Sequence, residues 1–100
     1  MSRRVVLRPA ARAEFDEAFD WYEARRTGLG SEFAVSVEQA FDRILRNPQL
    51  HGIVYEDVRC ALVRRFPYGV YYVVEEERIV VLAIFHSSRD PKAWQARVSE

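Results

Sequence analysis

Hydrophobic residues recur at helical spacing through the first half of the chain and predict two successive helices. The apolar segment Val5 to Leu7 predicts a short strand, and Pro9 behind it suits the first turn of a helix. From Ala10 to Arg26 one stripe is apolar, and a second apolar stripe begins after Gly28-Leu29-Gly30 and ends before Asn47-Pro48. Because the connection is so short, the pattern predicts an antiparallel helical hairpin. The two stripes contain Ala11, Phe15, Ala18, Phe19 and Tyr22, and then Phe33, Val37, Ala40, Phe41 and Ile44.

The second half of the chain predicts a meander of three strands. Val58 to Phe66 alternates between apolar and polar residues, Pro67-Tyr68-Gly69 turns the chain, and Val70 to Val74 returns. Arg78 to His86 is apolar on both faces, which is typical of a central strand that is covered on both sides. We expect Gln49 to Asp57 to be a loop.

The order of these elements, β-α-α-β-β-β, predicts one α+β domain that spans residues 1–100. Its helical hairpin is expected to pack on one face of a small, mainly antiparallel four-stranded sheet. The second face either offers apolar surface to a partner or is covered by residues 91–98, which can form a short helical turn with Asp90 as its cap. The two interpretations are compatible, and the sequence favours neither. The second face carries alternate members of the set Tyr71, Tyr72, Val80, Leu82 and Ile84.

Charge and composition exclude several classes of protein. The chain has 15 basic and 15 acidic side chains, so its overall field does not favour a nucleic acid or a membrane as partner. No apolar segment of a signal peptide follows the basic N-terminus, and the longest apolar run, Ile79 to Phe85, is too short to span a bilayer. Cys60 has no second cysteine to pair with, which fits a reducing compartment. We therefore expect a cytoplasmic protein without a membrane partner.

The ionisable residues predict neither a metal site nor a cofactor. His51 and His86 are the two histidines, and neither stands at metal-ligand spacing from the other or from Cys60. Gly28-Leu29-Gly30 lacks the further glycine and the preceding strand of a dinucleotide site. Carboxylates on the solvent face of the first helix are not placed for catalysis. These acids are Glu14, Asp16, Glu17, Asp20 and Glu23.

One cluster of cations and ring groups could carry chemistry on the sheet. RNA cleavage by attack of the 2′-hydroxyl needs a base, an acid and cations beside the phosphorane, which a histidine, a tyrosine and arginines supply. The alternative is structural: a histidine at a strand end often bonds a backbone carbonyl, and Arg89-Asp90 can form a rim ion pair. The structural interpretation is favoured for His86, and both stay open for the arginines. The cluster contains Arg59, Arg64, Arg65, Tyr72, His86, Arg89 and Arg97.

Several short motifs, in a fixed order over almost the whole chain, carry a family resemblance. They are Trp21-Tyr22, Gly28-Leu29-Gly30 with Phe33, Asn47-Pro48, the run Arg64 to Tyr68 with Tyr71-Tyr72, and the run His86 to Pro91 with Trp94 and Arg97. With the predicted order of strands and helices, they resemble the RelE/ParE superfamily of type II toxin-antitoxin toxins.

The resemblance implies one of two activities. RelE-like members cleave mRNA on the ribosome with a basic set that is often rich in lysine, whereas ParE-like members lack that set and poison DNA gyrase. This chain has no lysine before Lys92, and its ending looks ParE-like, so a gyrase poison without catalysis of its own is favoured. The residues expected to bind the target are Arg59, Arg64, Arg65, His86, Arg89, Trp94 and Arg97. In the RelE-like alternative the catalytic residues are His86, Tyr72, Arg59 and Arg65.

Either activity implies a cognate antitoxin, ParD-like or RelB-like, in a toxin-antitoxin hetero-oligomer. The resemblance places the antitoxin along the helical hairpin and the sheet. Trp21 lies off the core stripe of its helix, so it is expected to be either an exposed anchor point or a residue packed under the loop Gln49 to Asp57. The residues expected to bind the antitoxin are Trp21, Tyr22, Phe33, Tyr71 and Tyr72. A catalytically silent interaction domain is the third hypothesis.

Overall fold

The structure, a computed structural model, describes residues 3–99 of the chain. These residues form a helical hairpin, a five-stranded sheet and a short C-terminal helical segment. The helices are α1 (Pro9–Arg25), α2 (Leu29–Arg46) and α3 (Lys92–Gln95), and a 3-10 turn, Ala96–Ser99, follows α3. The strands are β1 (Arg4–Leu7), β2 (Ile53–Tyr55), β3 (Val58–Leu62), β4 (Tyr68–Val74) and β5 (Arg78–His86). The predicted α+β class is confirmed.

The sheet has the order β1-β5-β4-β3-β2, with β1 parallel to β5 and the other neighbours antiparallel. All residues of β5 between its two ends are buried, as predicted for a strand covered on both sides. β4 and β5 pair from Tyr68 opposite His86 to Val74 opposite Ile79. This register brings the end of β5 next to the turn that precedes β4.

The sheet has five strands where four were predicted. The additional strand, β2, lies inside the segment expected to be a loop and pairs Ile53 with Arg59 and Tyr55 with Val58. It was missed because it is three residues long and its first two side chains are exposed, so it has no alternating pattern. The next turn is also displaced: Arg65 has a φ of 74°, and the expected turn residues Tyr68 and Gly69 already belong to β4.

The helical hairpin packs on one face of the sheet along the two predicted stripes. Gly28, with a φ of 90°, turns the chain between the helices. The carboxylate of Glu23 then accepts hydrogen bonds from the N–H groups of Gly28 and Gly30, at 2.8 and 3.0 Å, and so caps the start of α2. A Cβ at Gly30 would lie 2.8 Å from the carbonyl oxygen of Phe19, so this glycine permits the close approach of the helices. The stripe residues Ala11, Ala18, Phe33, Val37, Ala40 and Ile44 are buried in the core.

The chain after β5 folds back over the second face of the sheet. Trp94 is 2% exposed, and its ring stacks on Tyr71 with 4.5 Å between centroids. The Asp90 carboxylate accepts a hydrogen bond from the Lys92 N–H at 3.0 Å, as expected of the cap of this short helix. The interpretation in which the C-terminal segment covers the second face is confirmed. Under this cover lie Val58, Val80, Leu82, Ala83 and Phe85.

Candidate functional site

An open groove of about 770 Å³ lies between α1 and the adjoining ends of β4 and β5. We call it the α1 groove. One wall is the face of α1 that carries Glu17, Asp20 and Trp21; the other wall is formed by the segment around His86 and Arg89. The groove thus joins residues predicted to bind an antitoxin to residues predicted to bind a target. Its lining is completed by Glu14, Ala18, Tyr22, Pro67, Tyr68, Ile84 and Ser88.

Trp21 is the most exposed aromatic residue of the α1 groove. Its side chain is 54% exposed, which confirms that it lies off the core stripe. The guanidinium carbon of Arg25 lies 4.1 Å from the centre of its ring, and Tyr22 meets it edge to face at 5.2 Å. The alternative, in which Trp21 packs under the loop Gln49 to Asp57, is wrong because these neighbours all lie on α1. A large ring held in place by its own helix is suited to binding a protein partner.

The bottom of the α1 groove is fixed by an ion pair between Glu14 and Arg97. The Arg97 Nη2 atom lies 2.8 Å from the Glu14 Oε2 atom, and the two side chains are only 17% and 13% exposed. The Glu14 carboxylate also accepts the Ile84 N–H at 3.1 Å, and Arg97 donates to the Leu82 carbonyl at 3.0 Å. β1 ends at Leu7, opposite Val81. Beyond that point, on the edge of β5 that faces β1, the side chains of Glu14 and Arg97 take the place of a strand and bond the β5 backbone.

This arrangement corrects two expectations. Glu14 was expected on the solvent face of α1, but its carboxylate turns inward because the β5 backbone and Arg97 both bond to it. Arg97 was expected to bind the target, but its guanidinium is occupied by Glu14 and Leu82. Arg97 therefore holds the C-terminal segment against α1.

The opposite wall of the α1 groove is shaped by the turn that follows β5. The His86 Nδ1 atom accepts the Ser88 N–H at 3.1 Å and lies 2.8 Å from the Ser88 hydroxyl oxygen. The expected bond from His86 to a backbone carbonyl is thus replaced by a local turn. Arg89 lies 4.4 Å above the centre of the Phe85 ring and forms no ion pair within residues 3–99. The expected pair with Asp90 is absent there because Asp90 caps α3.

The sequence did not identify the acids of the α1 wall, Glu17 and Asp20, as part of a site. Glu17 and Asp20 are exposed, line the groove, and form no ion pair in the described part of the chain. Burial, followed by the nearby Tyr22 and Glu17, raises the pKa of Tyr68 in the groove floor. The spacing of Glu17, Asp20 and Trp21 places them on one helix face. That spacing was the available signal.

The structure does not bring the candidate nuclease residues together. The Arg59 Nη1 atom donates to the carbonyls of Gln49 and His51, at 3.1 and 2.7 Å, so its role is to hold that loop. The Tyr72 hydroxyl donates to the Pro48 carbonyl at 2.6 Å, and burial raises its pKa to about 12. Tyr72 lies four positions along β4 from Tyr68, the partner of His86, which is about 13 Å at about 3.3 Å per residue.

Three further residues belong to the core rather than to a contact surface. Phe33 and Tyr72 are fully buried, and Trp94 is nearly so, because each fills a space between a helix and the sheet. Phe33 and Tyr72 were expected to bind the antitoxin and Trp94 to bind the target. Tyr71 is half-buried and lies against Trp94, beneath the C-terminal segment.

The two arginines before β4 do not line the α1 groove. The Arg65 Nη2 atom is 2.8 Å from the Glu32 carboxylate on α2. Arg64 is exposed and forms no ion pair with any residue from 3 to 99. Arg64 and Arg65 thus line a different groove from His86 and Arg89.

Residues 3–99 contain neither a candidate metal cluster nor a candidate membrane-spanning helix. Within that range, no His, Cys, Asp and Glu side chains gather in a group of three or more that could hold a metal ion. None of the helices there has the length and apolar character needed to cross a membrane.

Comparisons with known proteins agree on one family. The family model described as "ParE toxin of type II toxin-antitoxin system, parDE" matches residues 5–91. Toxin ParE2 from Mycobacterium tuberculosis, in strains CDC 1551 / Oshkosh and ATCC 25618 / H37Rv, is 27% identical over 100 residues, covering 99% of this chain and 95% of that protein.

Two solved structures share the fold. The chromosomal ParDE system from P. aeruginosa has a chain with a TM-score of 0.59 and 20% identity, over 86% of this chain and 96% of that one. The toxin-antitoxin complex RelBE2 from Mycobacterium tuberculosis has a chain with a TM-score of 0.60 and 20% identity, over 86% and 99%. The fold comparison agrees with the family match, which covers most of the sequence. The chain belongs to the ParE toxin family of type II toxin-antitoxin systems.

Proposed function

We propose that this toxin inhibits DNA gyrase by direct binding in the cytoplasm and that a cognate antitoxin silences it by occupying the α1 groove. One observation carries the proposal: Trp21 and Tyr22, expected to bind an antitoxin, line the same groove as His86 and Arg89, expected to bind the target. A segment seated in the groove would therefore exclude the target. Neutralisation would then be competition for one surface.

The groove has the features of a protein-binding site. Trp21 offers a large exposed ring, and tryptophan and arginine are enriched among the residues that dominate binding energy. The ion pair of Glu14 with Arg97 is largely buried, so the bottom of the groove exists before any partner arrives. Preorganisation lowers the entropic cost of binding. The two solved structures described above are named as a toxin-antitoxin system and a toxin-antitoxin complex.

The arrangement of the candidate nuclease residues supports a non-catalytic poison. A general acid or base works best with a pKa near the working pH. The Tyr72 phenol, with a pKa of about 12 and its hydroxyl bonded to Pro48, does not meet that condition. Arg59 is bonded to two loop carbonyls, and His86 lies at the other end of the β4 register.

The test measures two activities of the purified toxin in parallel. Supercoiling and cleavage-complex assays with purified gyrase are expected to show inhibition that the cognate antitoxin relieves. Ribosomes programmed with mRNA are expected to keep their message intact at the same toxin concentration. The double variant His86→Ala/Arg89→Ala should lose inhibition, and the exposed-site control Arg12→Ala should retain it. Cleaved mRNA with unaffected gyrase would reject the proposal in favour of ribosome-dependent RNA cleavage.

A further inference from the structure

A second groove, which we call the α2 groove, runs between α2 and the turn after β3. It has a volume of about 510 Å³ and includes Val35, whose side chain is 53% exposed although it is apolar. Val35 lies off the buried stripe of α2 and packs in neither core cluster. Among the described residues that line this groove, Val35 alone is apolar, and its exposure leaves it accessible to a partner side chain.

Four arginines lie in or near the α2 groove and outnumber the acids Glu32, Glu38 and Asp42. Arg64 and Arg65 line the groove, and Arg43 and Arg46 lie beyond its lining in the last turn of α2. Arg43 is anchored by a 2.7 Å hydrogen bond to the Leu62 carbonyl, two positions before Arg64. Burial, followed by repulsion from Arg64 and Arg46, lowers the pKa of Arg43, as expected when guanidinium groups crowd together.

Two of these arginines have no partner for their charge. Arg46 and Arg64 are exposed and form no ion pair within the described residues 3–99. Arg65 shares the carboxylate of Glu32 with Arg26. Glu38 and Asp42, three and seven positions after Val35, are the other acids that helical spacing places on this face of α2. The surface therefore combines an aliphatic contact with unpaired positive charge, although the chain as a whole is neutral.

We infer that the α2 groove, together with the last turn of α2 beside it, docks an acidic segment of a partner protein, with an aliphatic side chain on Val35 and carboxylates opposite Arg46 and Arg64. A peptide can place its carboxylates opposite these arginines and avoid Glu32, Glu38 and Asp42. A nucleic acid carries a charge at every phosphate, so it is less suited to a surface where acids lie among the arginines, and it makes no use of an aliphatic contact. This docking surface is separate from the α1 groove and does not depend on the identity of the toxin's target.

The test selects peptides from a random dodecapeptide display library on the purified protein. The selected peptides are expected to be rich in Asp and Glu and to contain Leu, Ile or Val. Their affinity should fall at least about tenfold for Arg46→Glu/Arg64→Glu, since reversing the two charges replaces attraction with repulsion. Val35→Ser should also lower the affinity of the protein for these peptides, because it removes the aliphatic contact. The matched control Arg4→Glu/Arg12→Glu, with the same change of charge at two other exposed sites, should bind them normally.

Three results would overturn the inference. They are a selection that enriches no acidic peptide, peptides that bind the α2-groove variants as tightly as the unaltered protein, and a ten-nucleotide single-stranded DNA or RNA that displaces the selected peptides. The last result would identify a nucleic-acid surface instead. Thermal unfolding of each variant shows whether it is folded, and both arginines are exposed, so their replacement leaves the core intact.

Discussion

The α1 groove and the α2 groove differ in what holds them in shape. The α1 groove rests on the largely buried Glu14–Arg97 pair, which also bonds the backbone of β5. The α2 groove has exposed side chains, and its main link is the pair of Arg65 with Glu32, with 64% and 35% of those side chains exposed. The first groove is therefore built into the fold, whereas the second can adjust to its partner. A preformed surface suits tight neutralisation, and an adjustable charged surface suits steering and selectivity.

The largest expected effect comes from removing the Glu14–Arg97 ion pair at the bottom of the α1 groove. Arg97→Ala leaves the Glu14 carboxylate in a largely buried site without its counter-charge, so the free energy of unfolding should fall by about 3 kcal/mol. Chemical denaturation measures this. Arg12→Ala removes an exposed pair, with 69% and 57% exposure, and should cost no more than about 1 kcal/mol. Equal losses for the two variants would show that the α1 groove is no more rigidly built than the surface.

The next effect concerns binding rather than stability. Trp21→Ala should weaken the complex with the cognate antitoxin by about 30-fold or more, which corresponds to about 2 kcal/mol for a dominant contact residue. Because the ring is exposed, the free energy of unfolding should change by less than about 1 kcal/mol. Calorimetric titration measures the affinity, and Val35→Ala in the α2 groove is the matched comparison. A larger loss for Val35→Ala would place the main antitoxin contact in the α2 groove.

A third prediction concerns two neighbouring tyrosines of β4, Tyr71 and Tyr72. Burial raises the pKa of both Tyr71 and Tyr72 to about 12, so ultraviolet titration should show these two ionising last among the five tyrosines. The folded state resists ionisation more than the unfolded state does, whose tyrosines titrate near about pH 10. Stability should thus be retained below about pH 10 and fall as the pH rises toward 12. Five tyrosines titrating together would contradict this burial.

The smallest effect concerns the α2 groove. Hydrogen bonds from Arg65 and then Arg26 lower the pKa of Glu32. A depressed carboxyl pKa contributes stability above the ordinary glutamate value of about 4.3, and that contribution is lost as the pH falls through the lower folded value. The free energies of unfolding of the unaltered protein and of Glu32→Gln should therefore become slightly more similar as the pH falls. If the two free energies of unfolding instead move apart as the pH falls, Glu32 is not stabilised by Arg65 and Arg26.

The sequence predicted the elements that have strong internal patterns. The two amphipathic stripes located α1 and α2, and the apolar run located β5, because burial on one or two faces leaves a period in the residues. β2 lacked such a period because its exposed residues Ile53 and Val54 bury no face. The cap at Asp90 was recognisable because it acts locally.

The functional site was predicted less well because it depends on contacts between distant residues. The role of Glu14 arises from Ile84 and Arg97, which are 70 and 83 positions away, and no local pattern encodes them. Residue type was also a poor guide for aromatic residues. Trp21 and Trp94 have the same side chain, but only the position of Trp21 outside its core stripe distinguished the exposed residue from the buried one.

The most direct test of the account is photocrosslinking from the two grooves. A benzophenone amino acid in place of Asp20 reports contacts in the α1 groove, and the same group in place of Gln39 reports contacts in the α2 groove. With purified gyrase, we expect a crosslink from position 20 that the cognate antitoxin suppresses, and none from position 39. A crosslink to gyrase from position 39 alone, or one from position 20 that persists in the antitoxin complex, would contradict competition for the α1 groove.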